Sequence, residues 1–196
     1  MHCVREFGYS YFMKPPILET DRLILRPLRA DDADAYFRYF GDWEIVRHLG
    51  KGVPWPYTQE IATASITRRA ENKEALFWAI TKKDRGDKSD ELIGAIEFFP
   101  ENEDSQRGFW LGKEFHNQGL ITEAAIAVTD YWFDALQRPV LRLRNAVTNP
   151  ASRRIKEKTG ARFIGITKKE YMDPEVTEAE IWEITAEDWR KFRTQS

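Results

Sequence analysis

The groups best placed to do chemistry in this 196-residue chain are the backbone amides of one turn. Phe115-His116-Asn117-Gln118-Gly119-Leu120-Ile121-Thr122-Glu123 follows an apolar, aromatic, strand-like piece, Gly108-Phe109-Trp110-Leu111-Gly112, and precedes an amphipathic stretch from Ala124 to Phe133. A strand, a short polar turn with one glycine and then a helix leaves unpaired N–H groups at a helix N-terminus, where the macrodipole adds positive potential. The turn is therefore either a phosphate site or a junction that carries a glycine and holds nothing. The chain has no Gly-x-Gly-x-x-Gly and no Gly-x-x-x-x-Gly-Lys-[Ser/Thr]. A single glycine suits a diphosphate held by backbone amides without a P-loop lysine.

Glu97 is the second candidate. It lies mid-strand in Ala95-Ile96-Glu97-Phe98-Phe99. A carboxylate among apolar neighbours has a raised pKa and suits taking a proton through water. The alternation of Ile96 and Phe98 against Glu97 and Phe99 could equally turn Glu97 to solvent. Other chemistries find little support. Cys3 is the sole cysteine, so neither an internal disulfide nor a cysteine metal cage can form. His2, His48 and His116 are scattered without metal spacing, and no metal site is expected.

The elements that must position these groups follow from pattern. Residues 1–16 are aromatic and irregular and read as an N-terminal extension; the domain proper is expected over 17–190. Strands are expected at 22–28, 76–81, 92–99, 106–113 and 140–147, with a closing antiparallel pair at 163–170 and 179–185. Helices are expected at 29–40, around 43–49, from the Thr58 cap to about Asn72, after the amide turn, and at 150–159 before Gly160, a natural C-terminal stop. Pro54-Trp55-Pro56-Tyr57-Thr58 forms an aromatic loop. The tail from Ala186 is short, with helical character. Strands dominate the middle with helices on both sides, a mixed α/β three-layer domain.

Composition narrows the function. Thirty basic and 32 acidic residues give a net charge of −2, which does not favour a nucleic-acid partner. Arg142, Arg144, Arg153, Arg154, Lys156 and Lys158 cluster late in the chain. They form either a basic patch or, more simply, a solvated helix face and strand edge. No apolar run approaches the roughly 20 residues that span a bilayer, and the N-terminus lacks an apolar signal region. The expectation is a cytoplasmic protein with no membrane partner.

Four separated segments, taken in order, resemble the GNAT acetyltransferase superfamily, and within it the branch of ribosomal-protein alanine N-acetyltransferases. They are Leu18-Glu19-Thr20-Asp21-Arg22-Leu23-Ile24-Leu25-Arg26, the aromatic loop, the amide turn, and Asn149-Pro150-Ala151-Ser152-Arg153-Arg154-Ile155-Lys156-Glu157-Lys158-Thr159-Gly160-Ala161. The resemblance implies a mixed, mostly antiparallel central sheet with a splayed parallel strand pair and helices on both faces. It implies acetyl-CoA as co-substrate, transfer of the acetyl group to a primary amine, and an allowed homodimer. Four positions depart from the superfamily pattern; one is Ile121, which ends the amide turn where Gly or Ala is usual, a large residue of the kind common in the ribosomal-protein branch. His116 opens the amide turn in place of Gln or Arg. Ala161 replaces a usual Phe, with Phe163 nearby as a packing substitute. Lys156 stands where many members carry a Tyr that protonates the leaving thiolate.

The resemblance also distributes roles. Backbone of Phe109, Trp110 and Leu111 would pair with the pantetheine amides, although Trp110 could be an ordinary core aromatic. Amides of Gln118, Gly119, Leu120, Ile121 and Thr122 would hold the diphosphate. Asn149 would contact the pantetheine arm. Ser152 would sit near the thioester sulfur as the acid, unless its hydroxyl merely caps the helix. From their own context rather than from the resemblance, Glu97 is the candidate base, and Trp55 and Tyr57 would wall the acceptor pocket or form a lid without acceptor contact. No covalent enzyme intermediate is needed. Three readings of function stay open: a protein N-terminal α-amine as acceptor, a small-molecule amine as acceptor, and a CoA-binding module without turnover.

Overall fold

The structure is a computed structural model and describes residues 14–195. The first thirteen residues of the expected extension, with His2 and Cys3, lie outside the described residues. Five strands form one antiparallel sheet in chain order: β1 (Leu18–Glu19), β2 (Leu23–Pro27), β3 (Leu76–Lys82), β4 (Leu92–Phe98) and β5 (Arg107–Leu111). Three more, β6 (Val140–Ala146), β7 (Arg162–Lys168) and β8 (Glu178–Thr185), form a second sheet in the order β6-β8-β7. The helices are α1 (Ala33–Phe40), α2 (Trp43–Val46), α3 (Gln59–Glu71), α4 (Leu120–Asp130), α5 (Pro150–Lys158) and α6 (Ala186–Gln195).

β3 and β4 are apolar because both faces of their sheet are covered. Along β3, Leu76 to Thr81 are all buried, and along β4 Glu97 alone is half-open. Register places Phe77 opposite Glu97 and Trp78 opposite Ile96. One face therefore carries Phe77, Ala95, Glu97 and Trp110 and meets α1 and α3, where Tyr36 sits edge-on to Trp110 at 4.8 Å. The other carries Trp78, Ile96, Phe98 and Arg107 and meets α4 and the π-helical turn that prolongs it, Tyr131–Ala135. Trp78, Trp132 and Trp189 are the largest of the fully buried side chains. Each finds a partner for its indole N–H: the Pro16 carbonyl, the Val140 carbonyl and Asp130. Burying an indole while pairing its N–H avoids the cost of an orphan donor.

The two sheets part at one place. The Gln106 N–H donates to the Arg142 carbonyl at 2.9 Å, and the Arg142 N–H donates to Gln106 Oε1 at 2.7 Å. Beyond that point no ladder joins β5 to β6, and every strand pairing among the described residues is antiparallel. The expected splayed pair is thus a complete separation into two sheets, with a wedge between them.

The opening differs in detail from expectation. The single strand 22–28 becomes a hairpin, with Leu18 opposite Leu25. The tail is a full helix, α6, whose Trp189 is 2% exposed. Phe163 does not replace the missing Phe at Ala161. It lies 53% exposed on the edge strand β7, against Trp182, while Ala161 itself packs on the core.

Candidate active site

The wedge opens into a cavity of about 1050 Å³. Its walls come from β5, the N-termini of α4 and α5, the inner face of α1 and the segment after α2.

At its first end lies the amide turn. Gly119 takes φ +77°, and Asn117 before it takes φ +59°. The left-handed glycine turns the chain into α4 and aims successive N–H groups one way. The first intrahelical bond runs from the Glu123 N–H to the Gly119 carbonyl at 3.1 Å. Among the described residues the N–H groups of Gln118 to Thr122 donate to no backbone carbonyl. The turn is fixed from behind. Arg22 Nη1 donates to the Gln118 carbonyl at 2.9 Å, and Arg22 Nε to Glu123 at 2.7 Å. Thr20 and the Arg22 N–H reach the other Glu123 oxygen. Burial works against charge on Glu123, but these hydrogen bonds win and hold its carboxyl below the ordinary range. The Leu111 carbonyl pairs with His116 Nε2 at 2.8 Å, which ties the turn to the strand that feeds it.

The middle of the wedge holds two aromatic layers and one carboxylate. Trp110 packs edge-on to Tyr36 and Phe40 at 4.8 and 5.1 Å. Glu97 projects from the same face beside Gly108, where a Cβ would lie 2.8 Å from Glu97 Oε1; the glycine makes the room. Glu97 keeps 24% of its side chain open and faces Arg69 Nε at 3.6 Å. Burial pushes its carboxyl up, and Arg69 opposes without cancelling the rise. Arg69 is shared, since its guanidinium also lies 5.7 Å from the centres of the Tyr36 and Phe77 rings.

On the opposite wall, α5 begins at Asn149, whose Oδ1 accepts from the Ser152 N–H at 3.0 Å. Pro150 fills the first helical position, where a missing N–H costs nothing. Ser152, one turn in, is not the cap. Its Oγ accepts from Lys156 Nζ at 2.9 Å. Lys156 is 1% exposed. Burial, with the Arg107 guanidinium nearby, pushes its ammonium well below the ordinary lysine range, against a smaller pull from Glu180. Arg107 donates through Nη1 to Thr129 Oγ1 at 2.8 Å, while its Nε and Nη2 have no partner among the described residues. Burial brings its guanidinium down to about 10.

The far end is roofed. Gly50 bridges to Tyr171, the Met172 N–H donates to the Leu49 carbonyl, the Asp173 N–H to the Arg47 carbonyl, and Arg47 pairs with Asp173 at 2.7 Å. Tyr171 Oη and Arg144 Nε lack partners among the described residues.

Residues 22–162 match the family described as Acetyltransferase (GNAT) domain. The chain belongs to the GNAT acetyltransferase family. It is 31% identical over 158 residues to the uncharacterized N-acetyltransferase YoaA of Bacillus subtilis, covering 79% of this chain and 87% of that protein. Its fold matches RimL, a ribosomal L7/L12 alpha-N-protein acetyltransferase solved with coenzyme A (TM-score 0.72, 18% identity, 87% of this chain and 98% of the other). It also matches the microcin C7 self-immunity acetyltransferase MccE, solved with acetyl-CoA and AMP (TM-score 0.70, 17% identity, 85% and 93%).

In this acetyltransferase the wedge brings together Glu97, Phe109, Trp110, Leu111, Gly119, Leu120, Ile121, Thr122, Asn149 and Ser152, all on the cavity wall. Gln118 is the exception in the turn. Its side chain donates to the Glu114 carbonyl and its own carbonyl serves Arg22. Trp55 and Tyr57 require correction, because neither lines the cavity. Tyr57 is 8% exposed behind Phe40, 4.9 Å between ring centres, and Trp55 turns outward onto Trp43 at 5.1 Å. Tyr36, Phe40, His48 and Leu49 line the cavity on that side. In sequence Tyr36 and Phe40 read as the apolar stripe of an amphipathic helix, and nothing in their spacing sets them apart from core. Arg22 and Glu123 were also missed as the brace behind the turn, since 101 residues separate them. Among the described residues no group of three or more His, Cys, Asp or Glu could hold a metal ion, and no helix is long and apolar enough to cross a membrane.

Proposed function

We propose that this chain moves the acetyl group of acetyl-CoA to a primary amine by direct attack, the acceptor being a protein N-terminal α-amine. The observation that carries this is the shared cavity: free amides at one end, a raised carboxylate in the middle, and a buried hydroxyl opposite. The amides of Gly119 to Thr122 fit a diphosphate, because they have donors to spare and α4 supplies the dipole. Backbone of Phe109, Trp110 and Leu111 takes the pantetheine arm on the open edge of β5. Asn149 has its oxygen committed to the cap and offers the amide nitrogen.

Glu97 accepts the proton that the amine loses as the new C–N bond forms. An α-amine has a pKa of about 7.7–8.0, so its neutral form is abundant enough for a weak base to suffice. Ser152 faces the departing sulfur from the opposite wall. A cytoplasmic setting and a homodimer belong to this reading, as does placement in the ribosomal-protein branch, which the likeness to RimL supports at the level of fold.

A second reading, a small-molecule amine, draws on the roofed far end and the unpartnered donors of Tyr171 and Arg144. The test is thermal unfolding with and without acetyl-CoA, followed by thiol release against N-terminal peptides and small amines. At 100 times its dissociation constant a native-state ligand adds about 2.7 kcal/mol. A shift with thiol release on peptides supports the first acceptor, and release on small amines alone supports the second. A shift without release would leave a binding module, and no shift would remove the cofactor site.

A further inference from the structure

Lys156 occupies a position where a structural lysine would be expected to hold a carboxylate, and among the described residues it holds none. Its Nζ bonds Ser152 Oγ at 2.9 Å and the Ser152 carbonyl at 3.4 Å, and it lies 5.9 Å from the centre of the Phe109 ring. The nearby anion, Glu180 on β8, is already engaged by Arg153, by Asn145 Nδ2 at 2.9 Å and by Trp182 Nε1 at 3.1 Å. The other charge facing it, Arg107 on β5, is itself a cation with two unpartnered nitrogens. An ammonium here has no paired anion, so releasing its proton is favoured. Ser152, four residues earlier on α5, lies on the cavity wall with its hydroxyl oxygen already receiving the Nζ–H. Its own proton is therefore free to point into the cavity.

We propose that Lys156 and Ser152 form a proton relay to the leaving thiolate, Ser152 touching sulfur and Lys156 holding the proton in reserve behind it. The relay rests on the acetyl-transfer reading above. As the carbonyl–sulfur bond breaks, the sulfur takes the Ser152 hydroxyl proton, and Ser152 Oγ takes one from the Lys156 ammonium. Lys156 is left as the neutral amine that its surroundings prefer. The amine's proton goes to Glu97, so each turnover adds one proton at Glu97 and removes one at Lys156, and exchange with solvent restores both. A tyrosine in this position is thereby replaced by a two-residue unit.

The test compares wild type with Lys156→Met, Ser152→Ala, the double variant and Lys156→Tyr. The relay requires wild-type kcat to fall as pH rises through the depressed Lys156 value. Lys156→Met should lose that basic limb and drop kcat at least about tenfold, with acetyl-CoA affinity within about twofold. The double variant should be no slower than the worse single one, as for residues acting as a unit. Lys156→Tyr should recover part of the rate. A second readout needs no acceptor: the thiol of bound CoA, titrated by its ultraviolet thiolate absorbance, should have a higher pKa in Lys156→Met. An unchanged pH profile and thiol titration would overturn the relay. So would an acetyl group found on Ser152 by mass spectrometry, which would make the serine a nucleophile. Failure of wild type to bind acetyl-CoA would instead remove the acetyltransferase reading, and the relay with it.

Discussion

The two ends of the reaction path are built from different material. The amide turn before α4 is made of backbone, and its function needs only a glycine at φ +77° and four N–H groups left over by helix geometry. The proposed proton-handling centre is made of side chains on three elements, Glu97 on β4, Ser152 and Lys156 on α5 and Arg107 on β5, and the charge states of Glu97, Lys156 and Arg107 are shifted by what they face. A backbone site tolerates changes of side chain around it. His116 departs from the family pattern, yet its ring pairs with the Leu111 carbonyl and leaves the free amides untouched. A side-chain site does not share this tolerance, because moving one charge resets the protonation of its neighbours.

The sharpest way to break the comparison is to attack the backbone site through its one special residue. Gly119→Trp forces a bulky L-residue to φ +77°, which costs about 1–2 kcal/mol, and brings its Cβ to 3.5 Å from Arg22 Nη2, so the indole disturbs the brace that aims the amides. Losing roughly two charge-assisted hydrogen bonds corresponds to about 2.7 kcal/mol, or 100-fold in acetyl-CoA affinity. Calorimetry with the folded variant measures this, and an affinity within a few-fold of wild type would mean the diphosphate lies elsewhere. The side-chain site should respond in the opposite manner. Glu97→Gln keeps shape and cofactor affinity and should lower kcat by about 10²-fold. Its sign with pH follows from the raised carboxyl: the active form is the carboxylate, lost as pH falls through a value above the usual glutamate range. In Glu97→Gln that acidic limb should flatten. If it persists unchanged, the proton goes to another group.

Ser152→Ala should have a smaller effect, about tenfold in kcat with acetyl-CoA affinity unchanged, because water can stand in for a lost hydroxyl. Equal rates would leave Ser152 as no more than a partner for Lys156. This variant also marks how far the sequence could be read. The order strand, glycine turn, helix is local, so the turn with its spare amides was legible, as was α5, although the cap was sought at Ser152 and lies at Asn149. The orientation of Glu97 was not legible. Alternation along β4 allowed either face, and only the packing of α1 and α3 on the Phe77–Glu97–Trp110 face decides it. The late basic cluster misled most. Lys156 is buried in the core, Arg153 pairs with Glu180, and Arg144 stands in the cavity wall, so residues adjacent in sequence lie in three environments. Spacing cannot show which lysine a fold will desolvate.

The smallest effect tests the corrected wall of the acceptor end. Trp55 is the kind of residue that sequence reasoning assigns to a pocket: aromatic, between prolines, in a loop between helices. Its ring lies 43% exposed against Trp43, on the outer side of the loop, while Tyr36 and Phe40 face inward from α1. Trp55→Ala should therefore change kcat/KM for any acceptor by less than about twofold, since surface substitutions away from such features usually stay within about 0.5 kcal/mol. Tyr36→Ala at the inner wall, measured beside it, should raise KM for the acceptor well beyond that and also lower stability, because a core tyrosine 1% exposed is lost. A large KM increase in Trp55→Ala would show that the loop folds inward over the acceptor. The boundary between core and contact would then run one layer further out than Tyr36 and Phe40.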